Sequence, residues 1–467
     1  MFIVDNNKKV PLYEQLYNQM RSAIVSGEWE TDRKLEPIRI LADRLGVSRN
    51  TVNRAYQQLL MEGYVRAIQG SGYYVEPLSP VWQQQELPGS KNKRKIKKTC
   101  RTKYDFSYDK FDSDAFPWSK WRHYLSQAIT ENSYSETIAY EDCKGSQALR
   151  ESICGYIRET RGVICSPEQI VLCPGTQYGM EMVMNILPGE NYKVAFEEPG
   201  YDGMRQVFLN HRCRLEPIRM TEQGLDVNQL EKTDCDLLYT CPSHQFPLGV
   251  TVPLAKRIQI LQWCHRKDIY VIENDYDNEF LNGESMIPPM QALDKHEHVI
   301  YISTLTKILS PEVRCAFIVL PKALVRSFDR QYSHYYSFFT AFEQRALTAF
   351  INDGNLERQM RRMQIFNRRK RDVMLEIMKE RLPGLAECSE NYAGGSHMIV
   401  RIKSVLTQEE LLSLLEEQGI RIYGTEQYWM DPAKADARMY LVGFNSIPID
   451  KIEQAANALV QALKEIL

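Results

Sequence analysis

The first apolar residues of the chain recur with the four-residue spacing of a helix. One face of this predicted helix carries Leu12, Leu16, Met20 and Ile24, which form a continuous apolar stripe. Gly27 ends the helix, because glycine readily adopts the backbone conformation that follows a last helical turn. The stripe predicts an amphipathic helix of a small domain.

Two more helices, joined by a tight turn, are predicted next. The shorter one runs from Ile38 to Leu45, and Gly46 permits the turn after it. The hydroxyl of Ser48 is suited to cap the following helix, roughly Arg49 to Met61. Its inward face has Val52, Tyr56 and Leu59 or Leu60. Its outward face keeps the polar residues Arg49, Asn50, Thr51, Asn53 and Arg54.

A short hairpin is predicted after the third helix. Its strands are Tyr64 to Ala67 and Tyr73 to Val75, and the turn between them is Gln69-Gly70-Ser71-Gly72. A β-wing beside a helix-turn-helix predicts a winged helix, whose recognition helix reads bases in the major groove. Arginine suits guanine edges or phosphate, and asparagine suits adenine. The pattern is also compatible with a three-helix packing module with solvated polar faces.

This region resembles the winged-helix domain of GntR-type bacterial regulators over nearly all of residues 10 to 76. The resemblance is carried by Leu41-Ala-Asp-Arg-Leu-Gly-Val-Ser-Arg-Asn-Thr-Val-Asn-Arg-Ala-Tyr56, followed by Leu-Leu-Met-Glu-Gly-Tyr and Gly-Ser-Gly-Tyr-Tyr-Val. Glu36-Pro37-Ile38 departs from the family, which usually has a Pro-Ser pair there. The resemblance implies a small α+β DNA-binding domain over residues 1–78. It also implies that operator DNA is contacted by Arg39, Ser48, Arg49, Asn50, Thr51, Asn53, Arg54, Gly70 and Gly72.

The chain changes character over residues 79–105, where a flexible linker is predicted. From Lys91 to Lys103 it has eight basic side chains and no acidic one, so charge repulsion favours an extended segment. Two functions are compatible with this run: a solvated tether, or an additional salt-dependent attachment to DNA phosphates.

Short apolar strands alternate with helical stretches from residue 106 to the end. This alternation predicts an α/β domain with a largely parallel sheet, whose ligands bind at the carboxyl ends of the strands. Five strands are predicted, at residues 169–173, 192–196, 237–240, 269–273 and 298–302.

The segments that follow these strands carry the candidate chemistry. Pro174-Gly175-Thr176-Gln177 precedes a helix, where backbone amides and a hydroxyl are suited to hold a phosphate. The fifth strand leads to Ser303, Thr304 and Thr306, then to Lys307, an amine that can meet an aldehyde. Arg314 follows, and its planar guanidinium suits a phosphate. The other strands lead into Glu198-Pro-Gly-Tyr201, Cys241-Pro-Ser-His-Gln-Phe-Pro-Leu-Gly249 and Glu273-Asn-Asp-Tyr-Asp277.

In order and spacing these segments resemble the fold-type I aminotransferases, which use pyridoxal 5′-phosphate. With the winged helix, the whole chain is similar to MocR-type regulators of the GntR superfamily over residues 10 to about 445. The resemblance implies that Lys307 forms the internal aldimine, that Tyr201 stacks on the pyridine ring and that Tyr276 contacts its 3′-oxygen. It implies a homodimer in which Tyr140 reaches the phosphate of the other subunit. The further cofactor contacts that it implies are Gly175, Thr176, Ser243, His244, Asn274, Thr304, Thr306 and Arg314.

Two departures from the aminotransferase pattern bear on function. Asn274 stands where the family usually has an aspartate that pairs with the pyridine nitrogen, and Asp275 is the neighbouring carboxylate. A neutral amide stabilises a pyridinium less than a carboxylate does. Leu441 stands where relatives often have an arginine that binds the substrate carboxylate, and Arg438 lies three residues upstream. We therefore expect weak transamination, or an effector that lacks an α-carboxylate.

Composition narrows the class of protein further. A chain of 467 residues predicts two or three domains, and 43% hydrophobic with 25% charged residues is typical of a soluble globular protein. The formal net charge of −2 means that any basic surface is local. The eleven cysteines have neither C-x-x-C nor zinc-ligand spacing, which favours free thiols in the cytoplasm and no metal site. No secretory signal or membrane-spanning run is recognised.

Three functions follow from these patterns. The favoured hypothesis is a regulator in which the aldehyde held on Lys307 senses an amine, an amino acid or the cofactor itself and shifts binding to operator DNA. The first alternative is a working aminotransferase with an auxiliary DNA-binding domain. The second is a winged-helix protein with a cofactor-free scaffold.

Overall fold

The computed structural model describes residues 2, 4, 10–77, 102–130, 140–277, 287–388 and 395–467. The chain divides into two compact units, Met1–Lys98 and Thr99–Leu467. Most of the predicted linker, with residues 91–101 of the basic run, lies outside the described residues.

The first unit is a three-helix module with a two-stranded wing. Its elements are α1 (Leu12–Val25), α2 (Ile38–Leu45), α3 (Arg49–Met61), β1 (Val65–Ile68) and β2 (Gly72–Val75). The two strands pair antiparallel, with Val65 opposite Val75. The three helices and the wing were predicted within two residues, because each boundary has a local cause. Gly46 adopts a left-handed conformation after α2, with φ of 63°, and the Ser48 hydroxyl accepts a hydrogen bond of 3.1 Å from the Thr51 amide.

The second unit begins with a strand inside the predicted linker. β3 (Tyr104–Asp105) pairs in parallel with residues 420–421 near the other end of the unit. The Lys103 amide donates to the Gly419 carbonyl at 2.7 Å, and the Phe106 amide donates to the Arg421 carbonyl at 2.9 Å. The chain is therefore held in the second unit from residue 103 onward.

The central layer of the second unit is a mixed eight-stranded sheet. Its order is β4-β11-β10-β9-β8-β5-β6-β7, with the bounds β4 Ile170–Cys173, β5 Lys193–Glu198, β6 Arg214–Thr221, β7 Gly224–Leu225, β8 Leu237–Thr240, β9 Tyr270–Asn274, β10 Val299–Thr304 and β11 Ala316–Val319. β10, β9, β8, β5 and β6 are parallel. β11 is antiparallel to both β10 and β4, so β4 runs with the parallel strands. The predicted parallel sheet is confirmed, whereas β6, β7 and β11 had not been predicted.

Helices cover both faces of this sheet, as alternating burial requires. Ile170 and Leu172 belong to one core cluster, whereas Val171 and Cys173 belong to another, because successive strand residues point to opposite faces. The helices of the unit are α4 Trp118–Thr130, α5 Gln147–Arg161, α6 Thr176–Ile186, α7 Asp202–Asn210, α8 Val227–Lys232, α9 Leu254–Lys267, α10 Met290–Leu293, α11 Lys322–Tyr332, α12 Ala341–Asn352, α13 Asn355–Arg381, α14 Gln408–Glu417 and α15 Ile452–Ile466.

A smaller sheet forms the carboxyl-terminal part. Its strands, in the order β12-β13-β16-β15, are β12 Ala386–Cys388, β13 His397–Ile402, β15 Tyr423–Gly424 and β16 Met439–Gly443, while β14 (Ile420–Arg421) pairs with β3. A third core cluster unites residues of this sheet with α13, α14 and α15. Among the described residues, no helix is long and apolar enough to cross a membrane. No group of His, Cys, Asp and Glu in those residues is arranged to hold a metal ion.

Candidate functional site

The ends of five strands meet around one cavity of about 200 Å³. Since β4, β5, β8, β9 and β10 run in one direction, their carboxyl ends lie at the same edge of the sheet. The cavity is lined by most of the predicted cofactor residues, namely Gly175, Thr176, Tyr201, Asn274, Tyr276, Thr304, Thr306, Lys307 and Arg314.

One end of the cavity is an anion cradle at the start of α6. Gly175 precedes this helix with φ of 124°, and a Cβ there would lie 2.5 Å from Nη2 of Arg314. The space is therefore open only because residue 175 is glycine. Nη2 of Arg314 donates to the Pro174 carbonyl at 2.9 Å, which fixes the guanidinium beside the helix N-terminus. Amides at a helix start together with a guanidinium form a site that fits a phosphate.

Two threonine hydroxyls complete the cradle. Oγ1 of Thr304 donates to the Cys315 carbonyl at 3.1 Å and accepts from the Thr306 amide at 3.1 Å. The two hydroxyl oxygens, of Thr304 and Thr306, lie 2.9 Å apart. The turn after β10 is thus held by its own side chains, and it keeps the Thr306 hydroxyl at the cavity.

Lys307 is half-buried among aromatic rings. Its Nζ donates to the Tyr108 carbonyl at 3.3 Å and lies 5.5 Å and 5.3 Å from the ring centroids of Tyr108 and Phe111. Ile308 and Leu309 behind it are buried and anchor the turn. Within the described residues, a primary amine is therefore held at the cavity by one carbonyl and two ring faces.

Asn274 and Asp275 have different environments although they are adjacent. Asn274 lines the cavity; its Nδ2 donates to the Tyr239 hydroxyl at 2.9 Å, and its Oδ1 has no hydrogen-bond partner in the described part of the chain. Asp275 is fully buried outside the cavity lining, where Arg161 pairs with it. The Tyr301 hydroxyl donates to the same carboxylate at 2.7 Å. The neutral amide is therefore the group that faces the cavity.

A buried polar cluster lies near Tyr276, whose ring centroid is 6.2 Å from that of His244. Asp277 accepts hydrogen bonds of 3.1 Å from the amide and the hydroxyl of Ser396, and its Oδ2 lies 3.3 Å from Nδ1 of His244. Burial raises the pKa of Asp277, but the hydrogen bond from His244 and the charge of Lys307 lower it overall. Burial, together with His244, lowers the pKa of His397 to about 3, so His397 is neutral near pH 7.

Three of the predicted cofactor residues do not line the cavity. Ser243 accepts a hydrogen bond of 3.0 Å from Arg161, and His244 pairs with Asp277, so both are buried away from the cavity wall. Tyr140 is 78% exposed, and its ring stacks on that of Tyr336 at 4.1 Å. Direct cofactor contact within one chain is therefore not supported by the geometry of these three residues.

Sequence reasoning missed part of the cavity wall. The additional lining residues are Tyr108, Asp109, Phe111, Gln177, Phe246 and Pro311. Gln177 and Phe246 lie within the strand-end segments from which the site was predicted, so their place in the sequence could have indicated that they line the cavity. Tyr108, Asp109 and Phe111 come from the segment after β3, about 200 residues before Lys307 in the sequence, where no local pattern indicates a ligand.

The position of the expected carboxylate-binding arginine is apolar. Leu441 is fully buried in a cluster with Phe246, Ile399, Tyr428 and Met439. Arg438 is on the surface, where its guanidinium binds Asp436 with an Nε to Oδ1 distance of 3.0 Å. Arg438 therefore does not replace the missing arginine.

Most of the candidate DNA-binding residues are exposed on the first unit. Arg39, Arg49, Asn50, Asn53 and Arg54 are exposed, and so are the wing residues Gly70 and Gly72. Thr51 is half-buried, and its hydroxyl lies 2.8 Å from that of Ser48. The guanidinium of Arg54 lies over the ring of Tyr13 at 4.7 Å, which holds it in place.

Two protein families match this chain. Residues 12–75 match the bacterial regulatory proteins of the gntR family, and residues 108–434 match aminotransferase class I and II. The chain is 30% identical over 476 residues to the probable rhizopine catabolism regulatory protein MocR of Rhizobium meliloti, covering 99% of this chain and 96% of that protein. It is 29% identical over 415 residues to the uncharacterized HTH-type transcriptional regulator YdeL of Bacillus subtilis (strain 168), covering 89% of each.

Solved aminotransferases share the fold of the second unit. The α-aminoadipate aminotransferase LysN of Thermus thermophilus, complexed with N-(5′-phosphopyridoxyl)-L-leucine, superposes with a TM-score of 0.69 at 22% identity, over 78% of this chain and 92% of LysN. A likeness at this identity shows the fold alone, while the regulator similarity spans nearly the whole chain. The chain therefore belongs to the MocR-type transcriptional regulators of the GntR family, in which a winged helix-turn-helix precedes an aminotransferase class I and II domain.

Proposed function

We propose that this regulator binds pyridoxal 5′-phosphate in the cavity at Lys307 and responds there to a small amine or amino acid, or to the cofactor itself. The observation that carries the proposal is the convergence of five strand ends on one cavity with an anion cradle and an amine. When bound, the cofactor supplies an aldehyde that reacts reversibly with primary amines.

Each part of the cavity has a role in this proposal. The amides at the start of α6, Arg314 and the hydroxyls of Thr304 and Thr306 bind the phosphate. Tyr201 and Phe246 cover the ring and exclude water. The Tyr108 carbonyl and the nearby ring faces position the Lys307 amine at the cavity.

The DNA response requires that an effector bind two states of the protein with different affinity. We infer a homodimer, because winged helices commonly read paired half-sites. We also infer that it acts in the cytoplasm, where bacterial operator DNA lies. The exposed Tyr140 is the residue that we assign to the subunit interface. Light scattering of purified protein, with Tyr140→Ala for comparison, tests this assignment: a monomeric wild-type protein would contradict it.

The cofactor assignment is tested by absorbance of the purified full-length protein. Wild type with added pyridoxal 5′-phosphate should show a visible band that Lys307→Ala lacks. Lys322→Ala is a matched control, because Lys322 is an exposed lysine paired with Glu297 at 2.7 Å. A band of equal intensity and position in Lys307→Ala would contradict the role of Lys307.

Catalytic transamination is the second candidate, since the phosphate cradle and Lys307 are both in place. Asn274 and Leu441 argue against efficient turnover. A screen of amino donors with a keto acid distinguishes the two functions, because rapid multiple turnover favours the enzyme, whereas slow half-reactions favour the sensor.

A further inference from the structure

The proposed function gives a role to only two of the three described charged residues that line the cavity. In the described part of the chain, the charged lining residues are Lys307, Arg314 and Asp109. The first two serve the cofactor's aldehyde and phosphate. Asp109 has no such role, and it is the one group of the three that repels an anionic ligand.

A second carboxylate lies near the same wall. Asp202 begins α7, directly after Tyr201. Burial raises the pKa values of Tyr108 and Tyr201, and the charges of Asp202 and Asp109 add to this, whereas Arg314 lowers the pKa of Tyr201. Both carboxylates therefore lie close enough to act on the two tyrosines. Within the described residues, no lysine, arginine or histidine forms an ion pair with either carboxylate. Asp109 is exposed and accepts a hydrogen bond from the Ser107 hydroxyl, so it keeps its charge accessible to a cation beside the aromatic residues.

The part of the cavity wall that the structure describes lacks a second positive side chain, beyond those used by the cofactor, that could pair with a carboxylate of the ligand. Leu441 and its neighbours are apolar, and no arginine except Arg314 lines the cavity among the described residues. A ligand carboxylate would be desolvated against apolar side chains and would approach Asp109. Both effects cost free energy.

We propose that the effector is a linear aliphatic diamine. One primary amine would form a carbon–nitrogen bond to the cofactor's aldehyde carbon as the bond from that carbon to Lys307 breaks, and its protons would pass to the released Lys307 amine. The alkyl stem packs on the rings of Tyr108, Phe111 and Phe246, and the second ammonium pairs with Asp109, supported by Asp202. Ring faces suit both the stem and the cation. This inference rests on the proposed cofactor function and names the ligand class of that site.

The test uses full-length protein loaded with pyridoxal 5′-phosphate. The ligands are 1,4-diaminobutane, butylamine and 4-aminobutanoate, which share a four-carbon chain and differ in the far group, with the matching five-carbon set in parallel. Affinity is measured by the change of the visible band and by calorimetry. The diamine should bind about threefold more tightly than the monoamine, beyond the statistical gain of two equal ends, and the amino acid should bind most weakly.

Asp109→Asn should remove most of the preference for the diamine over the monoamine, and Asp202→Asn should reduce it. Glu222→Gln, which removes one exposed negative charge in the turn between β6 and β7, should leave it intact. Equal binding of diamine and monoamine in both sets, tighter binding of the amino acid, or an unchanged preference in Asp109→Asn would overturn the inference while leaving the cofactor function standing. Absence of the band in wild type would overturn both.

Discussion

Arg161 and Asp275 form a two-bonded ion pair in the interior of the second unit. Nε of Arg161 lies 2.9 Å from Oδ2 of Asp275, and Nη2 lies 3.1 Å from Oδ1. Burial opposes the charge of Arg161, but Asp275 raises its pKa overall. Because the carboxylate is committed to this pair and to Tyr301, it cannot replace the aspartate that is missing at position 274.

Removing one partner of this pair should destabilise the protein strongly. Asp275→Ala leaves a buried guanidinium without its counter-ion, and the expected loss in the free energy of unfolding is about 3–5 kcal/mol. Urea denaturation checks this. The matched control is Asp234→Ala, which breaks the exposed pair of Asp234 with Lys193, where only a small change is expected. A similar loss in both variants would contradict the assignment.

Restoring a carboxylate at the cavity should strengthen amino-acid chemistry. In Asn274→Asp the new acid faces the ring nitrogen in the proposed arrangement, and the rate of a single half-reaction should rise about tenfold. Stopped-flow absorbance with an amino donor measures this. Asn185→Asp is the control, because Asn185 also donates to a tyrosine hydroxyl, that of Tyr332 at 3.1 Å, away from the cavity. An unchanged rate in Asn274→Asp would remove position 274 as the cause of weak transamination.

The contribution of Glu197 to stability should fall as pH rises toward neutrality, opposite in sign to that of His397, whose lowered pKa makes its contribution rise with pH. Burial raises its pKa from 4.5 to about 7, against the hydrogen bonds from Thr240, Cys241 and Gln245. The folded chain therefore binds a proton that the unfolded chain has lost between these two values, so folding weakens as pH increases through this window. The full effect is about 3 kcal/mol.

Glu197→Gln should flatten this decline, since the amide does not titrate. Urea unfolding at about pH 4.5 and about pH 7.5 gives the slope for each variant. Glu222→Gln serves as the exposed control and should keep the wild-type slope. If the change in stability between the two pH values is the same in Glu197→Gln and in wild type, Glu197 does not contribute to it.

For DNA binding, Arg49→Ala should weaken specific binding by about 1–3 kcal/mol if Arg49 reads a base edge. Equal loss on unrelated DNA would assign the residue to phosphate instead. Arg33→Ala is the control, because Arg33 is an exposed arginine of the same unit that is not among the predicted DNA contacts. Its guanidinium lies over the ring of Trp29 at 4.8 Å. Fluorescence anisotropy at several salt concentrations measures both variants.

The sequence predicted those elements whose cause is local. Apolar spacing, Gly46 and the Ser48 cap define the helices of the first unit, and apolar runs define five strands of the second. β11 was missed because it follows Arg314 without an intervening helix, contrary to the alternation that predicted the others. The commitment of Asp275 could not be predicted either, because its partner Arg161 lies 114 residues away in the sequence.

β3 places the start of the second unit close to Lys307. The chain that arrives from the DNA-binding unit is clamped by backbone bonds at residues 103–106, and only two residues later the Tyr108 carbonyl accepts the Lys307 ammonium. Any ligand that takes Lys307 away from this carbonyl changes a contact at the entrance of the polypeptide into the domain. Under the proposed function, the effector therefore acts within a few residues of the point where the chain enters the second unit.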